Sequence, residues 1–202
     1  MDVSNYSRKI SKIINTFLKE DDWKYIFDDN SGIFRFSLNL HGRIKSISYY
    51  IVIKEDGYIV YAVSPIGVDK NDLNSMTRMA EFICRANYGL KNGNFEMDFR
   101  DGELRYKVFV DCTGINPSND IIKTSIYSPA LMFERYGGGI TDVIFSDISV
   151  ESSINKCENS QEDEIRPLLV TPTSSNGEVG EILEKLAAHF SPDNADSDEW
   201  EE

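Results

Sequence analysis

Two stretches of two-residue alternation, each containing an Asp-Gly pair, constrain this chain more than any other feature. In "GIFRFSLNL" Phe34, Phe36, Leu38 and Leu40 fall on one side of a strand and Arg35, Ser37 and Asn39 on the other. His41-Gly42 and Asp56-Gly57 then separate further apolar runs, so residues 33–64 read as a three-stranded antiparallel meander. A tight turn at Asp56-Gly57 sets Val60 opposite Ile53 and Ala62 opposite Ile51. In "NGNFEMDFRDGELRYKVFV", a two-residue loop at Asp101-Gly102 sets Phe99 opposite Leu104, Met97 opposite Tyr106 and Phe95 opposite Val108. The same register pairs Asp98 with Arg105 and Glu96 with Lys107, and places Arg100 beside Glu103. Such pairs contribute roughly 0.2–1 kcal/mol each, so the density of charge reads as a solvated sheet face rather than as chemistry.

Helical spacing accounts for most of the rest. Val3, Tyr6, Ile10, Ile13, Ile14, Phe17 and Leu18 define a first amphipathic helix. A second takes Asp69 or Asn71 as its cap, Leu73, Met76, Ala80 and Ile83 as its apolar stripe, and Gly89 and Gly93 as stops. Residues 121–127 suggest a short strand. Ser128 as cap and Pro129 at the first helical position then open a third helix through Met132, Tyr136, Ile140, Val143 and Ile144. Gly137, Gly138 and Gly139 interrupt it at about 1 kcal/mol each relative to alanine, so close packing or a break must compensate.

From residue 150 the composition turns to Glu, Ser, Asn, Asp and Pro. The expected organisation is an α+β domain over 1–149, a polar linker over 150–178, and a short amphipathic helix with an acidic end over 179–202. In that tail helix Ile182, Leu183, Leu186 and Phe190 share one stripe with Val179. Residues 150–202 carry 14 acidic residues against 3 basic, whereas residues 1–149 carry 20 against 18. A near-neutral body with an acidic tail argues against nucleic acid as a partner, because phosphate binding needs clustered Lys and Arg. No run of about 18 apolar residues appears, so no membrane role is expected and the chain reads as cytoplasmic.

Motifs for catalysis are sparse. Cys84, Cys112 and Cys157 lack CxxC spacing, and His41 and His189 are the two histidines, so neither a zinc site nor His-based catalysis is indicated. The triple glycine lacks the spacing and the lysine of a phosphate loop, and "DNADSDEWEE" lacks the central glycine of a calcium loop. No cofactor and no metal are expected, and catalytic residues are not assigned.

One feature stands apart. The reverse face of the meander carries Tyr50, Val52, Ile59, Tyr61 and Val63, where a sheet with helices on one side should be polar. Something is expected to cover it: the first or third helix, a second copy, a client peptide, or the tail helix itself.

The run "FICRANYGLKNGNFEMDFRDGELRYKVFVDCTG", with "SPALMFERYGGGITDVIFSD" after it, resembles the YbjN-type bacterial domain family, labelled as sensory transduction regulators. The matching parts are a helix ending in Asn87 and Gly89, the strand "GNFEMDF", the return "DGELRYK" and a closing amphipathic helix. The likeness spans residues 5–148 in element order and is most specific at 87–107. It implies a fold like that of type III secretion chaperones, in the order α-β-β-β-α-β-β-α, which the elements above give independently. It also implies a protein-binding, non-enzymatic module that can dimerise, and it carries no catalytic residues across.

The leading expectation is therefore a binding or regulatory module that uses Tyr50, Val52, Ile59, Tyr61 and Val63 to hold a protein partner or a second copy. One alternative is an enzyme or small-ligand domain with a pocket beneath the second helix, using Cys112 or Tyr106. Another is a structural unit whose acidic tail recruits a basic partner.

Overall fold

Ser7 opens the first helix by accepting a hydrogen bond from the Ile10 backbone N–H at 3.3 Å, which satisfies one of the donors that a helix start leaves free. A computed structural model describes residues 5–159 of the chain; Val3 and the expected tail helix lie outside these residues. Ten elements follow one another: α1 (Arg8–Glu20), β1 (Ile26–Asp28), β2 (Ile33–Asn39), β3 (Ser46–Ile53), β4 (Gly57–Val63), α2 (Leu73–Asn87), β5 (Asn94–Met97), β6 (Leu104–Asp111), α3 (Asn119–Phe145) and α4 (Val150–Asn159). The class is the expected α+β, with a short strand and a helix added to the expected order.

The six strands form one antiparallel sheet in the order β1-β2-β3-β4-β6-β5. Phe34, Phe36, Leu38, Ile47, Tyr49, Ile51, Ile53, Tyr58, Val60, Ala62, Phe95, Leu104, Tyr106 and Val108 make its inner face and are all buried. The helices lie on that side. The Tyr49 hydroxyl donates to the Ile126 carbonyl of α3 at 2.8 Å, and the Tyr58 and Ser125 hydroxyls meet at 3.0 Å. Phe95 meets the rings of Phe133 and Tyr136 edge-on. On the α1 side, Asp21 accepts from the Tyr127 hydroxyl at 3.0 Å and Tyr25 packs on Phe34. Burial pushes the phenol pKa of Tyr58 up. Tyr58→Phe is expected to cost about 1 kcal/mol, read from the shift in a urea unfolding midpoint, because the phenol is replaced without creating a cavity.

Both hairpin registers differ from expectation by two residues. Ile53 faces Tyr58 and Ile51 faces Val60, with Lys54 N–H bonded to the Gly57 carbonyl at 2.9 Å, so Glu55 and Asp56 form the loop. Gly57 lies in the strand because a side chain there would meet the Val110 carbonyl oxygen at 2.5 Å. In the second hairpin Met97 faces Leu104, Phe95 faces Tyr106 and Glu96 faces Arg105. Asp98 starts that turn: its carboxylate accepts from the Arg100 N–H at 2.9 Å, and its carbonyl accepts from the Gly102 N–H at 2.7 Å. Bonds from the Arg100 side chain and backbone hold the Asp98 carboxyl at a pKa of about 2. Phe99 is thereby ejected from the sheet and is 59% exposed. A slip of two residues changes partners but keeps the side chains that remain in the strands on their expected faces.

In α2 the cap is Asp72, whose carboxylate accepts from the Asn74 and Ser75 N–H groups at 3.1 Å. The buried stripe is Met76, Met79, Phe82 and Ala86, while Leu73 is exposed and Ala80 and Ile83 sit half-buried. At its end the Asn87 side-chain amide accepts from the Phe95 N–H at 2.8 Å and donates to the Phe95 carbonyl at 3.0 Å.

The expected strand over 121–127 is helical, and Ser128-Pro129 is not a helix start. Ser118 caps α3, which runs through Pro129. Tertiary and local donors support the carbonyls near the proline: Tyr49 bonds Ile126, and the Ser128 hydroxyl bonds Thr124 at 2.6 Å. These outweigh the start signal that the Ser-Pro pair gives in isolation.

The expected linker does not begin at residue 150. The helix α4 there buries Val150, Ser153, Ile154 and Cys157, packing on α2 and α3. Its polar composition belongs to the solvated side of a packed helix.

Candidate functional site

The outer face of the sheet is set by the registers just described. One cross-strand row runs Asp28, Ile33, Val52, Ile59, Phe109. The next runs Ile26, Arg35, Tyr50, Tyr61, Lys107, Asn94, and a third runs Ser37, Ser48, Val63, Arg105, Glu96. The five residues singled out in the sequence, Tyr50, Val52, Ile59, Tyr61 and Val63, thus adjoin one another on a single face. Neither α1 nor α3 covers it, since both pack on the inner side.

Three large apolar side chains on this face are open to solvent: Ile26 at 70%, Phe109 at 56% and Tyr50 at 38%. Val52, Ile59, Tyr61 and Val63 are half-buried against their strand neighbours. Ile33 and Phe109 extend the patch beyond the sequence expectation. The signal for Phe109 was available, because it continues the alternation of Arg105 and Lys107; those charges made its face look solvated.

The polar part of the face is organised around Glu96. Its carboxylate accepts from Arg105 Nη2 at 2.8 Å and from Lys107 Nζ at 2.9 Å. Burial pushes the Glu96 carboxyl up, but the bonds from Lys107 and Arg105 outweigh it, so its pKa lies below the usual range. Arg105 also lies over the Tyr61 ring, 4.5 Å from the centroid, which holds both side chains flat on the sheet. Asp28 and Asp111, at the corners, are turned into their own turns: Asp28 accepts from the Ser31 hydroxyl and Asp111 from the Thr113 N–H.

A group with a depressed folded-state pKa stabilises above its unfolded value, near 4.3 for Glu, and that contribution fades as pH falls through the folded value. Wild type should therefore lose more stability than Glu96→Gln between pH about 4.5 and 3. Urea midpoints recorded across that range would show parallel curves if the Glu96 ion pairs were immaterial.

The pocket expected beneath the second helix corresponds to an open groove of about 480 Å³ between α2 and β5. Ala80, Ile83, Cys84, Met97 and Phe99 contribute to its walls. The two residues named for chemistry are elsewhere. Tyr106 is buried with its hydroxyl on the Asn92 carbonyl at 2.6 Å, and burial raises the pKa of the Cys112 thiol. His41 is far along the fold, where its N–H and that of Gly42 bond the Glu134 carboxylate at 2.6 and 2.8 Å. Among the described residues every buried side-chain nitrogen and oxygen has a hydrogen-bond partner, and no cluster of His, Cys, Asp and Glu is arranged to hold a metal. No helix among them is long and apolar enough to cross a membrane.

Compared with protein-family models and with curated proteins, the chain matches none.

Proposed function

We propose that this chain is a non-enzymatic protein-binding module whose working surface is the outer face of the sheet. The observation that carries this is a one-sided architecture: the helices lie on the inner face, and the outer one presents Ile33, Tyr50, Val52, Ile59, Tyr61, Val63 and Phe109 together. Aromatic and branched side chains fixed on strands offer contact area at little entropic cost. The Glu96, Arg105 and Lys107 network at one margin supplies polar selectivity at the rim. The likeness to YbjN-type domains points the same way.

Selection of peptides from a displayed random library on the full-length chain tests this. Selected peptides should bind Tyr61→Lys/Val63→Lys at least thirtyfold more weakly, equivalent to about 2 kcal/mol, with the circular dichroism of the variant unchanged. Equal binding to both proteins, or a library that yields no binder, would overturn the proposal.

A further inference from the structure

We infer that Asn92 is a covalent modification site that the folded chain holds closed, and that the Tyr106 hydroxyl is its lock. The pair Asn92-Gly93 lies between α2 and β5; the other Asn-Gly pair of the chain, Asn176-Gly177, lies outside the described residues. Glycine leaves its own nitrogen unshielded, which makes this dipeptide the one most prone to lose the asparagine amide. Solvent base takes the Gly93 N–H proton, and the nitrogen attacks the side-chain carbonyl carbon of Asn92. The bond from that carbon to Nδ2 breaks, and the amine leaves as ammonia with a proton from water. Water then opens the resulting succinimide at either carbonyl, giving aspartate or isoaspartate in place of asparagine.

Ring closure makes a strict torsional demand. The flat ring eclipses Cβ of Asn92 with the Gly93 nitrogen about the Cα–C bond, a torsion outside the regions open to an L-residue at rest. The Asn92 peptide must therefore rotate first, and the fold opposes that rotation. The Asn92 carbonyl accepts from the Tyr106 hydroxyl at 2.6 Å, and Tyr106 is itself buried in the core. Gly93, at φ +83°, is packed so closely that a Cβ there would lie 2.5 Å from the Tyr106 ring and 2.6 Å from the Lys107 carbonyl oxygen. The Asn92 side chain is turned to α3, where its amide donates to Ser128 Oγ at 3.4 Å. Further on, the Asn87 amide holds both backbone groups of Phe95, at 2.8 and 3.0 Å. The reaction thus waits for the segment between α2 and β5 to lift away from β6 and α3.

The product fits back poorly. Ser128 is buried and its hydroxyl donates to the Thr124 carbonyl at 2.6 Å, so it can serve a carboxylate in place of the Asn92 amide only by giving that bond up. A half-buried carboxylate facing no donor is disfavoured. Isoaspartate adds a main-chain carbon ahead of Gly93 and moves the glycine out of a space cut to its size. A chain that opens here is marked once, and redocks less well.

Peptide mapping of the full-length protein, incubated in mildly alkaline buffer, reads the rate at Asn92 from the exchange of NH for O. A synthetic peptide of residues 88–97 in the same buffer gives the unrestrained rate. Asn92 in the protein should react at least tenfold more slowly, the factor set by an opening cost of about 1.4 kcal/mol. In urea above the unfolding midpoint it should reach the rate of the peptide. Tyr106→Phe, which keeps the ring and removes the bond, should speed the native reaction about fivefold. Tyr58→Phe removes a buried phenol elsewhere and should leave the rate at Asn92 unchanged. Equal rates in protein and peptide, or a slow rate that persists in urea, would overturn the inference. So would no acceleration by Tyr106→Phe, or an equal acceleration by both variants, which would place the reaction in the globally unfolded chain.

Discussion

Replacing Gly139 by valine should cost about 3 kcal/mol, while replacing its neighbour Gly138 by alanine should stabilise the protein by up to about 1 kcal/mol. A side chain on Gly139 would start 2.6 Å from Phe82 of α2 and 2.7 Å from the Cys157 sulfur of α4. Three helices converge there, so neither neighbour can retreat without opening the packing on its far side. A side chain at Gly138 has nothing within 4 Å and gains only the helical preference of alanine. At Gly137 the nearest atom is Ile44 Cδ1 at 3.4 Å, an ordinary contact, so alanine there should be close to neutral. Thermal unfolding of the three variants is the check. The valine variant should melt about 10 °C below wild type. Equal effects at Gly138 and Gly139 would mean that backbone entropy, not contact, sets the role of these glycines.

Gly102→Val should be at least as damaging, about 3–4 kcal/mol, for a different reason. Its φ is +80°, a conformation that disfavours branched side chains, and the added carbon would lie 1.8 Å from the Val68 carbonyl oxygen. Backbone bonds tie the segment after β4 to this turn, with Val68 N–H on the Gly102 carbonyl at 3.0 Å and Ser64 N–H on the Leu104 carbonyl at 2.9 Å, while the Val68 side chain is buried in the core. The variant must undock that segment, so faster amide exchange at Val68 should accompany the fall in stability. Lower stability with Val68 still protected would place the cause in φ alone.

The contrast between these glycines shows what alternation and propensity can convey. Sheet faces were legible because side-chain direction has a period of two, and it survived errors in both turns. The turns themselves were not. Asp98 and Asp101 are both good turn residues, and the choice between them is made by bonds to Arg100 and Gly102 that neighbouring residues do not reveal. The start of α3 was misplaced for a related reason, since the Tyr49 hydroxyl that supports the carbonyl of Ile126 comes from a strand 77 residues away. The polar residues of α4 resemble a linker until Gly139 and Phe82 are seen to receive Cys157. Of the candidate surface, Tyr50, Val52, Ile59, Tyr61 and Val63 were legible from one meander. Phe109 joins them only once β6 is known to lie beside β4, a long-range pairing that local pattern does not specify.

The amide of Asn87 closes part of one edge of the sheet. Sheets that grow by adding strands have no natural end, since every new strand exposes another set of bonds for the next. In this protein the Phe95 backbone at one end of the sheet is already satisfied by Asn87, and the strand at the other end, β1, is three residues long. Strand addition at either edge of this sheet is thereby disfavoured.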